Sequence, residues 1–210
     1  MQELKSLSAY RQGLKGKILD TAMELFAKNG IKAVRMDDIA RTLNISKRTM
    51  YEIYDNKEVM LFEGVKTYNQ RREAEMSAFV TGNSDVMDII LNVYKVKVEE
   101  FRSTSPRFYD DLEKYPKVMA YLEKCREENR KELAAFLDKG VKEGYFRDDI
   151  SYDLVTILFD SIGQLFLQKR LYARFSIESV LNNIMFISLR GICTTKGIDV
   201  LDKFLKAQAE

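Results

Sequence analysis

Residues 43–58, LNISKRTMYEIYDNKE, decide how this chain is read. Ser46 is a favourable helix N-cap, and Met50, Ile53 and Tyr54 follow at helical spacing, which predicts a short helix with one buried face. Lys47, Arg48, Thr49, Tyr51 and Glu52 are left toward solvent. Lys47 and Arg48 occupy the first turn, the positive end of the helix dipole. A helix start favours Asp or Glu by roughly 0.3–1 kcal/mol each at a surface. Two cations there are useful only against a negative partner from outside.

Upstream of Ser46, Asn44 can adopt the left-handed conformation of a tight turn, with Ile45 as an apolar plug beside it. Met36, Ile39, Ala40 and Leu43 fall at i, i+3, i+4 and i+7, predicting another short helix with Asp37 and Asp38 at its dipole-favoured start. Farther back, Ile18, Ala22, Leu25 and Phe26 predict a first helix over about residues 16–28, closed by Asn29-Gly30. Ala40 is small enough to let the second and third helices cross closely.

Two short helices joined by a tight turn, the second polar and basic on its outer face, are the arrangement in which the second helix enters the DNA major groove. DNA phosphates supply the missing negative charge, and a helix N-terminus is itself an anion site. On this reading Lys47 or Arg48 pairs with guanine edges, Thr49 meets a thymine methyl or a phosphate, and Tyr51 donates its hydroxyl to a phosphate. Lys57, at the start of a fourth helix, is a further cation at a positive dipole end, and Arg35 and Met36 at the start of the second helix complete the expected DNA surface. The alternative is a helical hairpin with a solvated basic edge.

Downstream, the fourth helix runs to about residue 80, where Thr81-Gly82-Asn83-Ser84 breaks it. Further helices are predicted at about 85–102, 106–114, 116–142, 152–172, 177–194 and 198–208, with Pro106 and Pro116 each placed to start one. No stretch alternates with period two, so the fold class is all-α. The expected organisation is an N-terminal arm and helix-turn-helix domain over residues 1–56, then a larger helical domain over residues 57–210.

The composition sharpens this. The first fifty residues hold ten Lys and Arg against five Asp and Glu, leaving 24 against 27 in the rest, so the basic excess sits at the helix-turn-helix end. Histidine is absent, which removes Ser-His-Asp and Cys-His nucleophiles, His-ligated zinc and the ExxH di-iron bundle. Cys125 and Cys193 lack CxxC spacing, so no metal site and no cofactor are expected. Asp110 and Asp111 are adjacent on a helix and diverge by about 100°, which does not make a paired acid and base. A non-enzymatic protein is expected, with a helical carrier or enzyme as the remote alternative. No run is apolar enough to span a bilayer and the N-terminus does not resemble a signal peptide, so a cytoplasmic location without membrane association is expected.

Residues 18–61, ILDTAMELFAKNGIKAVRMDDIARTLNISKRTMYEIYDNKEVML, resemble the DNA-binding domain of the TetR family of bacterial transcriptional regulators. The resemblance lies in F-A-K-N-G closing the first helix, D-D-I-A in the second, I-S-K-R-T-M-Y in the third and K-x-x-x-L opening the fourth. It implies phosphate contacts from Tyr51 and Lys57, and base or backbone contacts from Lys47, Arg48 and Thr49. The family usually has Ser or Thr where this chain has Arg35, and His or Tyr then Phe where it has Ile53 and Tyr54. Looser likenesses at GVKEGYFRDDIS, residues 140–151, and LRGICTTKG, residues 189–197, extend the resemblance over nearly the whole chain.

In the larger half, residues 154–168 and 180–192 are apolar around most of their circumference, more than one core requires. A second copy of the chain would cover them, and a two-fold dimer presents two recognition helices to major grooves roughly 34 Å apart. The resemblance places the dimer interface on these helices, with Leu158, Ile162, Leu165, Phe166, Ile184, Met185, Ser188 and Ile192 as its expected residues. It also implies an effector cavity, for which Tyr94, Phe101, Phe108, Tyr109, Tyr121, Phe159, Asp160 and Gln164 are the candidates. The polar stripe Asp160, Ser161, Gln164, Gln168 faces either a ligand or the dimer partner. The expectation is a homodimeric repressor released from operator DNA by a small molecule, with an activator or constitutive binder as the alternative.

Overall fold

A computed structural model describes the backbone of residues 2–80 and 84–209, and the side chains of all these except residues 2–10, 131, 208 and 209. The expected break at Thr81-Gly82-Asn83 falls outside the described residues. Eleven α-helices are described: α1 (Gln2–Asn29), α2 (Met36–Thr42), α3 (Lys47–Ile53), α4 (Lys57–Val80), α5 (Val86–Arg102), α6 (Pro106–Leu112), α7 (Pro116–Lys142), α8 (Tyr152–Gln168), α9 (Ile177–Val180), α10 (Phe186–Ile192) and α11 (Thr195–Ala209). No strand is present among them beyond one isolated bridge, so the fold is all-α. Among the described residues no helix is long and apolar enough to cross a membrane.

Helix α1 starts well before the expected Gly16, because Leu14 continues the apolar stripe of Ile18 and Ala22 one turn upstream and no proline interrupts it. The run expected over residues 177–194 is not uniform: α9 and α10 flank a π-helical segment, Leu181–Met185. That register change turns Met185 and its neighbours relative to a plain α-helical projection, a kind of irregularity common at functional sites.

The chain forms two compact units, one of Met1–Ala74 with Ser103–Leu122 and the other of Glu75–Arg102 with Glu123–Glu210. This division falls elsewhere than the 56/57 boundary expected from sequence. Met60, Leu61 and Val65 of α4 and Val118 of α7 are buried in the same core as Ile18, Phe26, Ile39 and Met50, so the three-helix motif does not close a core alone. The start of α4, together with α6 and the start of α7, completes it.

In the first unit Gly30 takes φ +88° to end α1, and a Cβ there would lie 2.8 Å from Arg107 Cβ. The turn after α1 therefore passes hard against α6 and admits glycine alone. In the second unit the core gathers Val86, Met87, Tyr94, Leu137, Phe146, Phe186 and Leu201. The two segments singled out around residues 140–151 and 189–197 meet there. Phe146 bridges Cys193, Thr194 N–H donates to the Tyr145 carbonyl at 2.9 Å, and the Lys196 ammonium sits 3.8 Å from the Tyr145 ring centroid.

Candidate nucleic-acid interface and effector cavity

The α2–turn–α3 motif is built as its sequence requires. Asn44 takes φ +53°, and Ile45 N–H donates to the Ala40 carbonyl at 3.0 Å, folding α3 back on α2 beside the buried Ala40. Ser46 caps α3 by accepting the Thr49 N–H at 3.0 Å, and its hydroxyl also meets that of Thr49 at 2.8 Å. Met50 and Tyr54 are fully buried and hold the helix in place. The Tyr54 hydroxyl donates to Glu63 at 3.2 Å, and Lys15 pairs with the same carboxylate at 2.7 Å. Burial first, and the Glu63 charge second, push the Tyr54 phenol well above its ordinary range, so it remains a neutral donor.

The outer face of α3 carries Lys47, Arg48 and Tyr51, all exposed, with Thr49 half-buried. Lys47 reaches back to Asp37 of α2 at 2.7 Å, and Arg48 pairs with Glu52 one turn along at 2.9 Å. Hydrogen bonds donated to these carboxylates raise both cations above their ordinary pKa values, so both stay charged. Exposed pairs of this kind contribute little to stability and exchange readily. The first turn of α3 thus holds two cations whose intramolecular partners a phosphate can replace.

Two expected contact residues, Met36 and Lys57, stand differently from the sequence reading, while Arg35 lies at the start of α2 as expected. Met36 is buried in the core because α2 docks by its apolar face, so this side chain does not form part of the surface. Lys57 is half-buried, and its ammonium donates to the carbonyls of Ile31 and Val34 at 2.8 and 2.9 Å, tying down the loop between α1 and α2. Desolvation lowers its pKa despite the nearby Asp111 charge. The Lys57 ammonium is therefore occupied inside the protein, and Asn56 caps the first turn of α4 by accepting the Val59 N–H at 3.0 Å. Arg35 stands at the N-cap of α2, where a guanidinium cannot accept a hydrogen bond; Asp38 closes the cap from the other side by accepting the Arg35 N–H at 2.9 Å. The Arg35 side chain itself is exposed. The side chain of Lys5, in the N-terminal arm, lies outside the described residues.

Asp111 is a participant that sequence reasoning passed over. It is one of two buried polar residues of the described chain, and it accepts the Lys32 N–H at 2.7 Å and the Lys114 ammonium at 2.8 Å. Burial pushes its carboxyl upward, but the hydrogen bonds from Lys114 and Lys32 outweigh this and hold it below the usual carboxylate range. A signal was available. Asp110 and Asp111 lie in the last turn of α6, at the negative dipole end, the mirror image of the mismatch that singled out Lys47 and Arg48.

The second unit contains a cavity of about 710 Å³. Its wall is mostly apolar, with Ile89, Ile90 and Val93 from α5, Leu133 and Phe136 from α7, Phe159 from α8 and Met185 from the π segment, while Arg126, Arg130, Lys139, Thr156 and Asp160 add polar groups. Of the eight expected effector residues, Phe159 and Asp160 line it. Tyr94 is instead buried in the core, stacked on Phe186 at 5.1 Å between ring centroids. Phe101 packs edge-on to Phe166 at 4.9 Å. Phe108, Tyr109 and Tyr121 belong to the first unit, where Phe108 and Tyr121 pack against the helix-turn-helix core and Tyr109 packs edge-on to Phe108. Gln164 reaches the Asp160 carboxylate only at 3.5 Å. Aromatic content alone does not separate cavity wall from core, because both use the same residues.

The greasy faces of α8 and α10 divide likewise. Leu158 and Leu165 are exposed, as are Leu154, Ile157 and Ile187, which the expected interface omitted. Ile162, Ile184 and Ser188 are half-buried. Ile192 is buried in the second core, Phe166 packs on Phe101, and Met185 faces the cavity, so these three point inward. Ser161 donates to the Ile157 carbonyl within its own helix, and Asp160 pairs with Arg130 at the cavity.

Residues 18–63 match the family model described as bacterial regulatory proteins of the tetR family. The transcriptional repressor KstR2 of Mycobacterium tuberculosis is 26% identical over 147 residues, spanning 67% of this chain and 73% of that protein. The negative regulator IcaR of the Staphylococcus epidermidis biofilm operon is 40% identical over 53 residues, 25% of this chain and 29% of its own. A TetR-family regulator from Agrobacterium tumefaciens superposes with a TM-score of 0.68 at 15% identity, covering 88% of this chain and 100% of its own. The solved KstR2 structure does so with a TM-score of 0.55 at 22% identity, covering 86% and 95%.

Proposed function

We propose that this chain, whose residues 18–63 match the tetR family model, is a homodimeric TetR-family repressor released from its operator DNA by a small molecule held in the cavity of the second unit. The observation that carries the DNA half of this reading is the outer face of α3: Lys47, Arg48 and Tyr51 are exposed on a helix anchored by Met50 and Tyr54, and each cation is paired only with an exposed or half-exposed carboxylate. Phosphates that replace those carboxylates convert a dipole mismatch into a matched contact.

The exposed apolar side chains Leu154, Ile157, Leu158 and Leu165, at helical spacing along α8, and Ile187 of α10 support the homodimer, since a row of exposed apolar side chains is unfavourable to a monomer in water. The cavity favours an effector-controlled regulator over a constitutive binder, because its volume and mostly apolar wall suit a drug-sized molecule. Release follows if the effector binds more tightly to a conformation of low operator affinity; a ligand with equal affinity for both conformations shifts nothing.

The test is fluorescence anisotropy of the full chain on the DNA upstream of its own gene, across a salt series, beside Arg48→Ala and Tyr51→Phe. A specific isotherm that weakens steeply with salt and is weakened further by both substitutions is the expected result. Equal binding by all three proteins would remove α3 from the interface.

A further inference from the structure

We infer that the cavity of the second unit takes an amphipathic anion, a compact apolar body bearing a carboxylate or phosphate head. This rests on reading that cavity as the effector site. The wall is apolar where it is most enclosed: Ile89 and Ile90 are buried, and Val93, Leu133, Phe136 and Phe159 continue the surface. The charged groups stand apart from it. Arg126 and Arg130 line the cavity from one side of α7, yet their side chains are 29% and 46% exposed, which places cationic heads at the mouth and apolar groups within.

Their spacing is the second observation. Arg126 and Arg130 are separated by one helical turn, so two like charges share a face, an arrangement that disfavours the isolated helix. Each meets a carboxylate: Glu123 at 2.6 Å for Arg126 and Asp160 at 2.8 Å for Arg130. The Asp160 contact uses Arg130 Nη2, one corner of a five-donor planar fork suited to bidentate capture of carboxylate or phosphate. An anion at the mouth therefore meets two guanidiniums without requiring the Asp160 pair to be broken.

The remaining lining charges do not reverse this. Lys139 donates to the Ser84 carbonyl at 3.0 Å and pairs with Glu143, so it is engaged away from the mouth pair. Glu132 is exposed and Asp160 is already matched by Arg130. A quaternary ammonium ligand calls for a cage of several aromatic faces, and this wall offers Phe136 and Phe159 beside two arginines. An apolar body alone would leave the remaining guanidinium donors, beyond the Glu123 and Asp160 pairs, to solvent.

Calorimetric titration of the full chain with dodecanoate, dodecyl phosphate, dodecanol and dodecyltrimethylammonium, each below its micellar concentration, tests this. At least one of the two anions binds roughly tenfold or more tightly than the alcohol and the ammonium, as one charge-assisted hydrogen bond supplies; the tighter of the two identifies the head. Combining Arg126→Gln with Arg130→Gln abolishes that preference while dodecanol binding is retained, which also shows that the variant is folded. Val93→Phe, which narrows the apolar wall, weakens anion and alcohol together. Alcohol or ammonium binding as tightly as both anions, an anion preference that survives the double substitution, or no binding by any of the four would overturn the inference. An arginine-dependent anion preference with unchanged operator affinity in the anion's presence would uphold the ligand class and refute the effector reading.

Discussion

The Asp111 carboxylate accepts the backbone N–H of Lys32 at 2.7 Å, so a side chain from α6 holds the loop that leads into α2. Lys57 holds the same loop from α4, donating to the Ile31 and Val34 carbonyls. The helix-turn-helix therefore takes its position from two buried or half-buried charges that are not part of it.

Asp111→Ala leaves the Lys32 N–H without its acceptor and is expected to cost about 1–3 kcal/mol of unfolding free energy, read from urea denaturation. The pH dependence has a definite sign. The folded carboxyl lies below its ordinary value of 3.8, so its contribution is complete above that value and disappears as pH falls through the lower folded value. Asp111→Asn therefore flattens the acid limb of the stability curve. An unchanged acid limb would show that Asp111 is not linked to folding.

Lys57→Met separates two roles. If the ammonium serves mainly the loop, stability falls by about 1–3 kcal/mol, while operator affinity measured well below the melting temperature falls only modestly. Intact stability with an operator affinity that collapses and a salt slope reduced by about one would instead make the ammonium a phosphate contact.

Met50→Ala should be more damaging than any surface change on α3. Met50 is fully buried at the base of the recognition helix, and removing a buried Met side chain costs about 2–5 kcal/mol. Thermal unfolding by circular dichroism reads this directly. A shift no larger than that of Arg48→Ala would mean that α3 is not anchored through Met50.

Ile157→Glu combined with Ile187→Glu places charges on the exposed apolar faces of α8 and α10. Sedimentation equilibrium is expected to show conversion of dimer to monomer, with circular dichroism unchanged because neither side chain belongs to a core. Operator affinity should fall with it, since a monomer engages one half-site. A variant that stays dimeric would move the interface elsewhere. Ile192→Glu, by contrast, should unfold the second unit, because that side chain is buried.

Much of the helix-turn-helix was legible in the residues. Helical spacing of Met50 and Tyr54, the Ser46 cap and the left-handed Asn44 are local properties, set by backbone sterics and period, and they reappear in place. The all-α class followed for the same reason. Charges opposed to a helix dipole were also readable, and Lys47 and Arg48 were read that way; the same sign at Asp111 was available and went unused because its partners are 79 residues away and three residues on.

What the tertiary structure decided was direction. Met36, Phe166, Met185 and Ile192 carry the same apolar chemistry as Leu158 and Ile187, and only packing against neighbours from distant sequence sends some inward and leaves others exposed. The π segment Leu181–Met185 adds a register change that a uniform helical projection misplaces. The cavity is likewise a property of assembly. Its residues come from α4, α5, α7, α8 and the π segment, and the hollow exists only once those faces have met. Hydrophobic periodicity fixes which side of a helix avoids water; which partner covers that side is a nonlocal matter, and here it separates core, cavity wall and exposed face.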